Sequence, residues 1–299
     1  MSIKKYFYLA QWFIKARFLG KKRPLQTVLF ISDECNLACR HCNVYEKEHI
    51  HVKNYEQIRE ELQYSYQQGA RFVDFEGGEP MIWHDGDKDI NSLVALAQEI
   101  GFFSTTVTTN AQLPFGHCQA ASMWISLDGI GEFHDVIRGA GAFEKLAKNV
   151  RESGRKGLCV NMVINTLNYT NVRETIEYAR QNPAIDLISL NFHTPYEGTE
   201  TLFLDWDLRC KIIDEIISLK RQGYPILNSV SGLKLMKTNQ FKRVCWVCNF
   251  ILPDGTRLPE CVGKSAGICD RCGLCMAGEM RAVFDFKPDT LLAGLKLRM

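Results

Sequence analysis

From residue 27 onward the apolar positions follow two alternating rhythms. Short runs rich in β-branched residues read as six strands: TVLFIS (27–32), RFVDF (71–75), FSTTVTT (103–109), MWISLD (123–128), LCVNMVI (158–164) and IDLISLNF (185–192). Between them apolar residues return every three or four positions, which predicts helices. One begins at Asn54 with Gln57 as capping partner, carries Ile58, Leu62 and Tyr66 on one face, and stops at Gly69. Others run through Leu93, Ala97 and Ile100 to Gly101, through Phe143, Leu146 and Val150, over 171–181, and over 207–221. The segment between the third and fourth strands has room only for a short or degenerate helix. Strands alternating with helices in this way predict an α/β fold with a parallel sheet, open or curved into a partial barrel.

After about residue 235 the alternation stops, and residues 243–280 are rich in Cys, Gly and Pro. Three units are therefore expected: a basic amphipathic helix over 1–24, the main domain over 25–235, and a cysteine-rich unit over 236–299. The last is too poor in apolar residues to hold a large core without metal. In the first unit Lys4, Lys5, Lys15, Arg17, Lys21, Lys22 and Arg23 accompany Tyr6, Phe7, Trp12, Phe13, Phe18 and Leu19, and the first acidic residue is Asp33. That run is too short and too charged to span a bilayer. Two readings stay open for residues 4–23: a helix lying in an anionic membrane interface, or one covering the bottom of the main domain.

A chain of 299 residues that is 46% hydrophobic has ample material for a core. Its net charge of +2, with the signs well mixed, argues against a protein that coats nucleic acid. Twelve cysteines are a heavy load, and nine of them fall in two clusters, at 35, 39 and 42 and at 245, 248, 261, 269, 272 and 275. Disulfide frameworks of that density belong to short secreted chains. With no export signal legible, a cytoplasmic protein whose reduced thiols hold metal is expected. Cys118, Cys159 and Cys210 stand alone and read as small buried hydrophobes.

The unusual polar residues fall where strands end. The loop with Cys35, Cys39 and Cys42 follows the first strand and EGGEP (76–80) the second. TTN (108–110) ends the third, SLDG (126–129) the fourth, VIN (163–165) the fifth and NFHTP (191–195) the sixth. In parallel α/β folds that edge is where ligands bind, so one site on that face is expected.

The spacing CxxxCxxC, with His41 just before the last cysteine, resembles the signature of the radical S-adenosylmethionine (radical SAM) enzymes. GGEP (77–80) resembles that family's second motif, and residues 126–146 are similar to the fourth-strand stretch of members that carry an auxiliary-cluster domain. The resemblance covers about residues 25–220. It implies a partial (β/α)6 TIM-like barrel, and it implies that Cys35, Cys39 and Cys42 hold three irons of a [4Fe-4S] cluster. The fourth iron is left open for S-adenosylmethionine, whose reductive cleavage yields a 5'-deoxyadenosyl radical that abstracts hydrogen from a substrate. It further implies that Gly77 and Gly78 allow close backbone approach to the methionine part, that Glu79 accepts from its amino group, and that His41 lies near the adenine. Ser126, Asn110 and Asp128 would sit by the ribose, and Arg138 would pair with the carboxylate. For Asp128 and Arg138 a local ion pair that shapes the loop stays open beside that role. Ala111 occupies a position where the family pattern has a glycine-like residue.

Cys245, Cys248 and Cys261 resemble the auxiliary-cluster ligands of the radical enzymes of molybdenum-cofactor biosynthesis. With Cys269, Cys272 and Cys275 the whole segment resembles a shortened SPASM or Twitch domain, which implies at least one auxiliary [4Fe-4S] cluster. Six thiolates are too few for two fully ligated cubes, and paired CxxC units are also zinc signatures. The expected function is a radical SAM oxidoreductase that modifies a peptide or protein, served by a flavodoxin- or ferredoxin-like reductant, with no nucleic-acid partner. A membrane lipid or isoprenoid is the alternative substrate, because the basic N-terminus resembles that of lipid-modifying members. A non-catalytic iron-sulfur or zinc-binding protein is the alternative class.

Overall fold

The computed structural model describes residues 3–45 and 48–298. The chain opens with α1 (Ile3–Phe18) and enters the sheet at β1 (Gln26–Phe30). Next come α2 (Tyr55–Gln68), β2 (Phe72–Glu76), α3 (Ile90–Ile100), β3 (Ser104–Thr109), β4 (Ser122–Ser126), α4 (Glu132–Arg138) and α5 (Ala142–Glu152). The chain continues through β5 (Leu158–Ile164), α6 (Val172–Gln181), β6 (Ile185–Phe192), α7 (Trp206–Arg221) and α8 (Val230–Thr238). The remainder holds β7 (Cys248–Ile251), β8 (Arg257–Leu258), α9 (Val262–Ser265), α10 (Met276–Phe284) and α11 (Pro288–Arg298).

The eight strands form one sheet in the order β6-β5-β4-β3-β2-β1-β7-β8, and all pairs are parallel except β7 with β8. The six expected strands are present, and two more extend the sheet beyond β1. There Gln26 stands opposite Cys248 and Leu29 opposite Ile251. A four-residue strand inside cysteine-rich text carries no periodic signal of its own; its partner β1 supplies the ladder that defines it. Residue 235, where the composition changes, lies inside α8.

Local chemistry explains most boundaries. The Asn54 side chain accepts from the Gln57 N–H while the Gln57 side chain accepts from the Asn54 N–H, closing a capping box, and Gly69 ends α2 with φ 121°. Asp89 caps α3 in the same way with Ser92. No helix forms between β3 and β4, where the chain runs as turns and buries Phe115 and Cys118.

Strand alternation gives the sheet two faces. Leu29, Val73, Phe75, Val107, Met123, Ile125, Val160, Met162, Ile188 and Leu190 are buried against Ile58, Leu62, Leu93, Ile176, Ile213 and Ile216 of the helices. Each such side chain stabilises the fold by about 1.5–3 kcal/mol. The opposite, concave face carries half-buried polar residues, among them Asp74, Glu76, Trp124, Ser126, Asn161 and Asn191.

α1 crosses the amino-terminal ends of the strands. Lys5 Nζ donates to Phe103 O (2.7 Å), the Tyr8 hydroxyl to Gly69 O (2.7 Å) and Trp12 Nε1 to Arg23 O (2.9 Å). Trp12, Phe13 and Ala16 pack with Val244, Val247, Trp246 and Phe284 in a second apolar cluster. The helix thus covers the bottom of the barrel, as one of its two readings expects.

Candidate active site

The loop after β1 carries Cys35, Cys39 and Cys42 over the carboxyl ends of the strands, and the GGEP turn after β2 holds it there. Gly78 N donates to Ser32 O (2.7 Å) and Glu79 N to Glu34 O (2.9 Å). A Cβ on Gly78 would lie 1.8 Å from Glu34 O, and one on Gly77, whose φ is 148°, would lie 2.3 Å from Ser32 O. The room these glycines leave is taken by the backbone entering the cysteine loop, so only glycine fits. On the other side, His51 N donates to Asp33 Oδ1 (2.7 Å) and Ser32 bridges to Val52.

N–H donors from separate places meet each of the three sulfurs. Asn110 Nδ2, at the end of β3, reaches Cys35 Sγ (3.7 Å), and Arg138 Nη1, on α4, reaches Cys39 Sγ (3.8 Å). The N–H groups of Val44 and Tyr45 donate to Cys42 Sγ at 3.4 and 3.3 Å. Burial pushes the Cys35 thiol up, and the Cys39 thiol to about 11, with the Arg138 charge opposing the latter rise. The thiols are near enough to feel one another's charge. No three His, Cys, Asp or Glu side chains among the described residues lie close enough together to chelate a single ion. Three soft donors with N–H groups aimed at their sulfurs fit an iron-sulfur cluster, whose ligand sulfurs take such hydrogen bonds.

Around this loop the other predicted residues form a connected frame. Arg138 Nε donates to Asp128 Oδ2 (2.7 Å), and Val163 N donates to Asp128 Oδ1 (2.8 Å). Burial alone would raise the Asp128 carboxyl, but Arg138, with His41, His134 and the Val163 N–H, outweighs it and holds the group below the usual carboxylate range. The ion pair between Asp128 and Arg138 is therefore present, and Arg138 extends it to the Cys39 sulfur. His41 Nε2 lies 3.6 Å from Asp128 Oδ2, burial lowers its pKa to about 4, and its buried Nδ1 has no partner.

Glu79 is buried, not a surface turn residue. Its carboxylate accepts from Met81 N (3.0 Å), Thr109 Oγ1 (2.7 Å) and Asn110 N (2.7 Å), joining the ends of β2 and β3. Asn110 gives its amide to Asn36 Oδ1 (2.7 Å) as well as to Cys35. Ser126, at the end of β4, is half-buried, and its hydroxyl makes no hydrogen bond among the described residues. Ala111 takes a left-handed φ of 55°, which explains why a glycine suits that position.

The concave face adds residues that motif reading passed over. Glu76 accepts from Thr108 Oγ1 (3.5 Å) and shares the face with Asp74, two positions earlier on β2. It opens partly to the lumen yet is walled in by protein. Burial, and then the Asp74 charge, push its carboxyl up to about 7. The signal was available in the alternation of Asp74 and Glu76 with Val73 and Phe75.

The second cysteine cluster lies beside the end of β6. Cys245, Cys261, Cys269 and Cys272 line one small cavity with Tyr196 and Arg243. Cys245 and Cys261 lie close enough for each to perturb the other, which pushes the first thiol up and lowers the second to about 6. Cys248 and Cys275 lie outside this lining, and burial pushes the Cys275 thiol up to about 12 against the charge of Arg209. Four thiols around one cavity match the ligand count of one complete cube, and the buried Nε of Arg243, without a hydrogen-bond partner, offers a donor beside it. Backbone contacts fasten the segment to the barrel: Phe192 N donates to Gly273 O (2.9 Å) and Cys275 N to Asn191 Oδ1 (2.8 Å). A Cβ on Gly273 would lie 1.9 Å from Phe192 O. Both thiol sets therefore border the carboxyl end of the sheet.

Comparison with known proteins agrees with this geometry. The family profile described as the Radical SAM superfamily matches residues 29–182. GTP 3',8-cyclases of Clostridium botulinum strains are 31% identical over 150 residues, 45% of this chain and 46% of theirs, so the chain spans about half the length of the curated relatives it matches. Among solved structures, Streptococcus suis SuiB bound to precursor peptide SuiA aligns with a TM-score of 0.64 at 19% identity, over 86% of this chain and 63% of SuiB. The anSMEcpe enzyme with bound AdoMet aligns at 0.60 and 15% identity, over 79% of this chain and 74% of its own. Methylornithine synthase (PylB) aligns at 0.54 and 18% identity, over 86% and 81%. At these identities the likeness is one of fold.

Proposed function

The chain belongs to the radical SAM superfamily, and from that premise we propose that it cleaves S-adenosylmethionine reductively and abstracts hydrogen from a peptide or protein substrate. The family's [4Fe-4S] cluster supplies the electron and its open iron the binding point. Cys35, Cys39 and Cys42 are its ligands in this reading. The observation that carries it is the set of N–H donors on all three sulfurs. Asn110, Arg138 and the Val44 and Tyr45 amides spread the thiolate charge. Glu79 and the glycine pair hold the loop in register, and the Ser126 hydroxyl and His41 Nδ1 are left to face the nucleoside.

The lumen supports the choice of substrate class. Asn161 and Asn191 already bond to each other (2.8 Å), but an isoprenoid chain would displace water from the Asp74 and Glu76 carboxyls beside them and offer no hydrogen bond in its place. A peptide backbone and its polar side chains can hydrogen-bond to them. SuiB binds the precursor peptide SuiA on the same fold, which supports the reading by analogy. Cys245, Cys261, Cys269 and Cys272 are assigned to one auxiliary [4Fe-4S] cluster at the mouth, within a unit spanning residues 236–299, where it can take the substrate's electron or anchor the substrate. A flavodoxin- or ferredoxin-like protein is the assigned reductant.

The test is anaerobic purification, iron and sulfide analysis, and chromatographic detection of 5'-deoxyadenosine after reduction with S-adenosylmethionine. Cys39→Ala should abolish that product while the C-terminal iron remains. Zinc in place of iron, or iron without any 5'-deoxyadenosine, would replace the proposal with a structural metal protein or an electron carrier.

A further inference from the structure

α1 is apolar on both sides. Its inner stripe, Tyr8, Trp12, Phe13 and Ala16, docks on the barrel and on α10. Its outer stripe does not dock: Phe7 is 72% exposed, Ile14 53%, Phe18 62% and, just past the helix, Leu19 62%. Positions 7, 14 and 18 fall on one line along a helix. A water-facing surface helix would carry polar residues there.

Two further observations say what covers this stripe. Phe286 joins it, with its ring 6.2 Å from that of Phe18 and 46% of the residue exposed. Its φ of 55° is costly for an aromatic residue, and the ring so placed packs edge-on to Phe13 at 5.4 Å while staying partly exposed beside Phe18. The second observation is charge. Lys15, Lys21 and Lys22 are exposed around the stripe, Arg17 lies over the Phe18 and Phe286 rings, and no acidic residue precedes Asp33. Asp285, beside Phe286 in the chain, is paired with Arg281.

We propose that this surface seats the protein on an anionic lipid bilayer, with Phe7, Ile14, Phe18, Leu19 and Phe286 in the headgroup boundary and the lysines on the lipid phosphates. No helix among the described residues is long and apolar enough to cross a membrane, so the contact is peripheral. Its place in the fold determines what it is for. α1 touches the residues that precede β1, β2 and β3, whereas Cys35, Glu79 and Asn110 follow those strands. The docking face and the site mouth are at opposite ends of the barrel. Docking therefore anchors the enzyme and turns its mouth toward the aqueous side, where a peptide arrives; it does not deliver a bilayer lipid to the site.

The experiment is flotation of the full-length protein with phosphatidylcholine vesicles, with and without phosphatidylglycerol. Binding to the anionic vesicles is expected, weakened by salt and falling about fivefold for each lysine removed in Lys21→Gln and Lys22→Gln. Phe7→Ser with Phe18→Ser should abolish it while circular dichroism stays unchanged; if that variant misfolds, the lysine variants and salt series decide alone. No flotation with anionic vesicles, equal flotation with neutral ones, or a stable dimer in size-exclusion chromatography that the phenylalanine variant turns to monomer would each overturn the proposal. The readout is binding alone, so it stands or falls separately from the radical chemistry.

Discussion

Replacing Glu76 by Gln should stabilise the protein increasingly as the pH rises from about 4.5, with the full gain above about pH 7. Glu76 sits on the concave face of β2 beside Asp74, and its carboxyl is raised from 4.5 to about 7 by burial and then by the Asp74 charge. At about 1.4 kcal/mol per pH unit of displacement, holding the ionised form in the fold costs roughly 3 kcal/mol. Because the lumen admits some solvent, roughly 1–3 kcal/mol is the working range. The direction follows from proton counting. Below about pH 4.5 the group is protonated in both the folded and the unfolded chain and contributes nothing. Between about 4.5 and 7 the unfolded chain releases the proton while the folded chain keeps it, so stability falls as pH rises. Above about 7 the whole cost is present. The Gln side chain keeps an oxygen for the Thr108 hydroxyl, which donates to Glu76 Oε1 (3.5 Å), and drops the charge.

The assay is thermal unfolding of wild type and Glu76→Gln, purified without oxygen, at pH 5 and pH 8. For a chain of this size about 1 kcal/mol moves Tm by roughly 2–4 °C. The variant should therefore gain roughly 2–12 °C at pH 8, and at pH 5 about a quarter of that. Equal shifts at the two pH values, or a loss at pH 8, would show that the Glu76 environment does not disfavour its charge and would refute the reasoning.

Gly78→Ala puts a carbon 1.8 Å from Glu34 O, backbone against backbone. The cysteine loop must shift, at roughly 1–3 kcal/mol, and iron analysis should show the first cluster lost with the C-terminal iron retained; full iron content in the alanine variant would mean the glycine is not needed. At the second site Cys261→Ser should lower the iron count while Cys248→Ser leaves it unchanged, since only Cys261 lines the cavity. Equal losses would mean that the cavity does not define the ligands.

The elements whose signals are local were legible in the sequence. The Asn54–Gln57 box, the stop at Gly69 and the strands at 158–164 and 185–192 depend on residues within a few positions of each other, and the structure has them where the pattern puts them. The site edge was legible too, because polar residues at strand ends need no tertiary knowledge. What failed to show was the choice of partner over distance. Arg138 reads equally well as a ligand for a carboxylate on a cofactor and as a partner for Asp128, ten residues away; only the fold brings Asp128, Cys39 and Arg138 together. β7 was hidden because its pairing energy comes from β1, more than two hundred residues earlier. Six C-terminal cysteines look alike in a string, and the cavity separates four of them from two.

A parallel barrel has two unlike ends, and this chain assigns them different work. At the carboxyl end, loops are free to vary without disturbing the sheet, and both thiol sets converge there although their sequences lie two hundred residues apart. Gly273 permits this convergence: Phe192 O occupies the space a side chain would take, and the Phe192 to Gly273 and Asn191 to Cys275 hydrogen bonds fasten the cysteine segment to β6. At the amino end Lys5, Tyr8 and Trp12 of α1 donate to the Phe103, Gly69 and Arg23 carbonyls that precede the strands. A helix held that way has its inner face fixed by the barrel, so its outer face is free to be selected for something else. The residues found there are aromatic, aliphatic and basic, and the barrel wall stands between them and the cysteines.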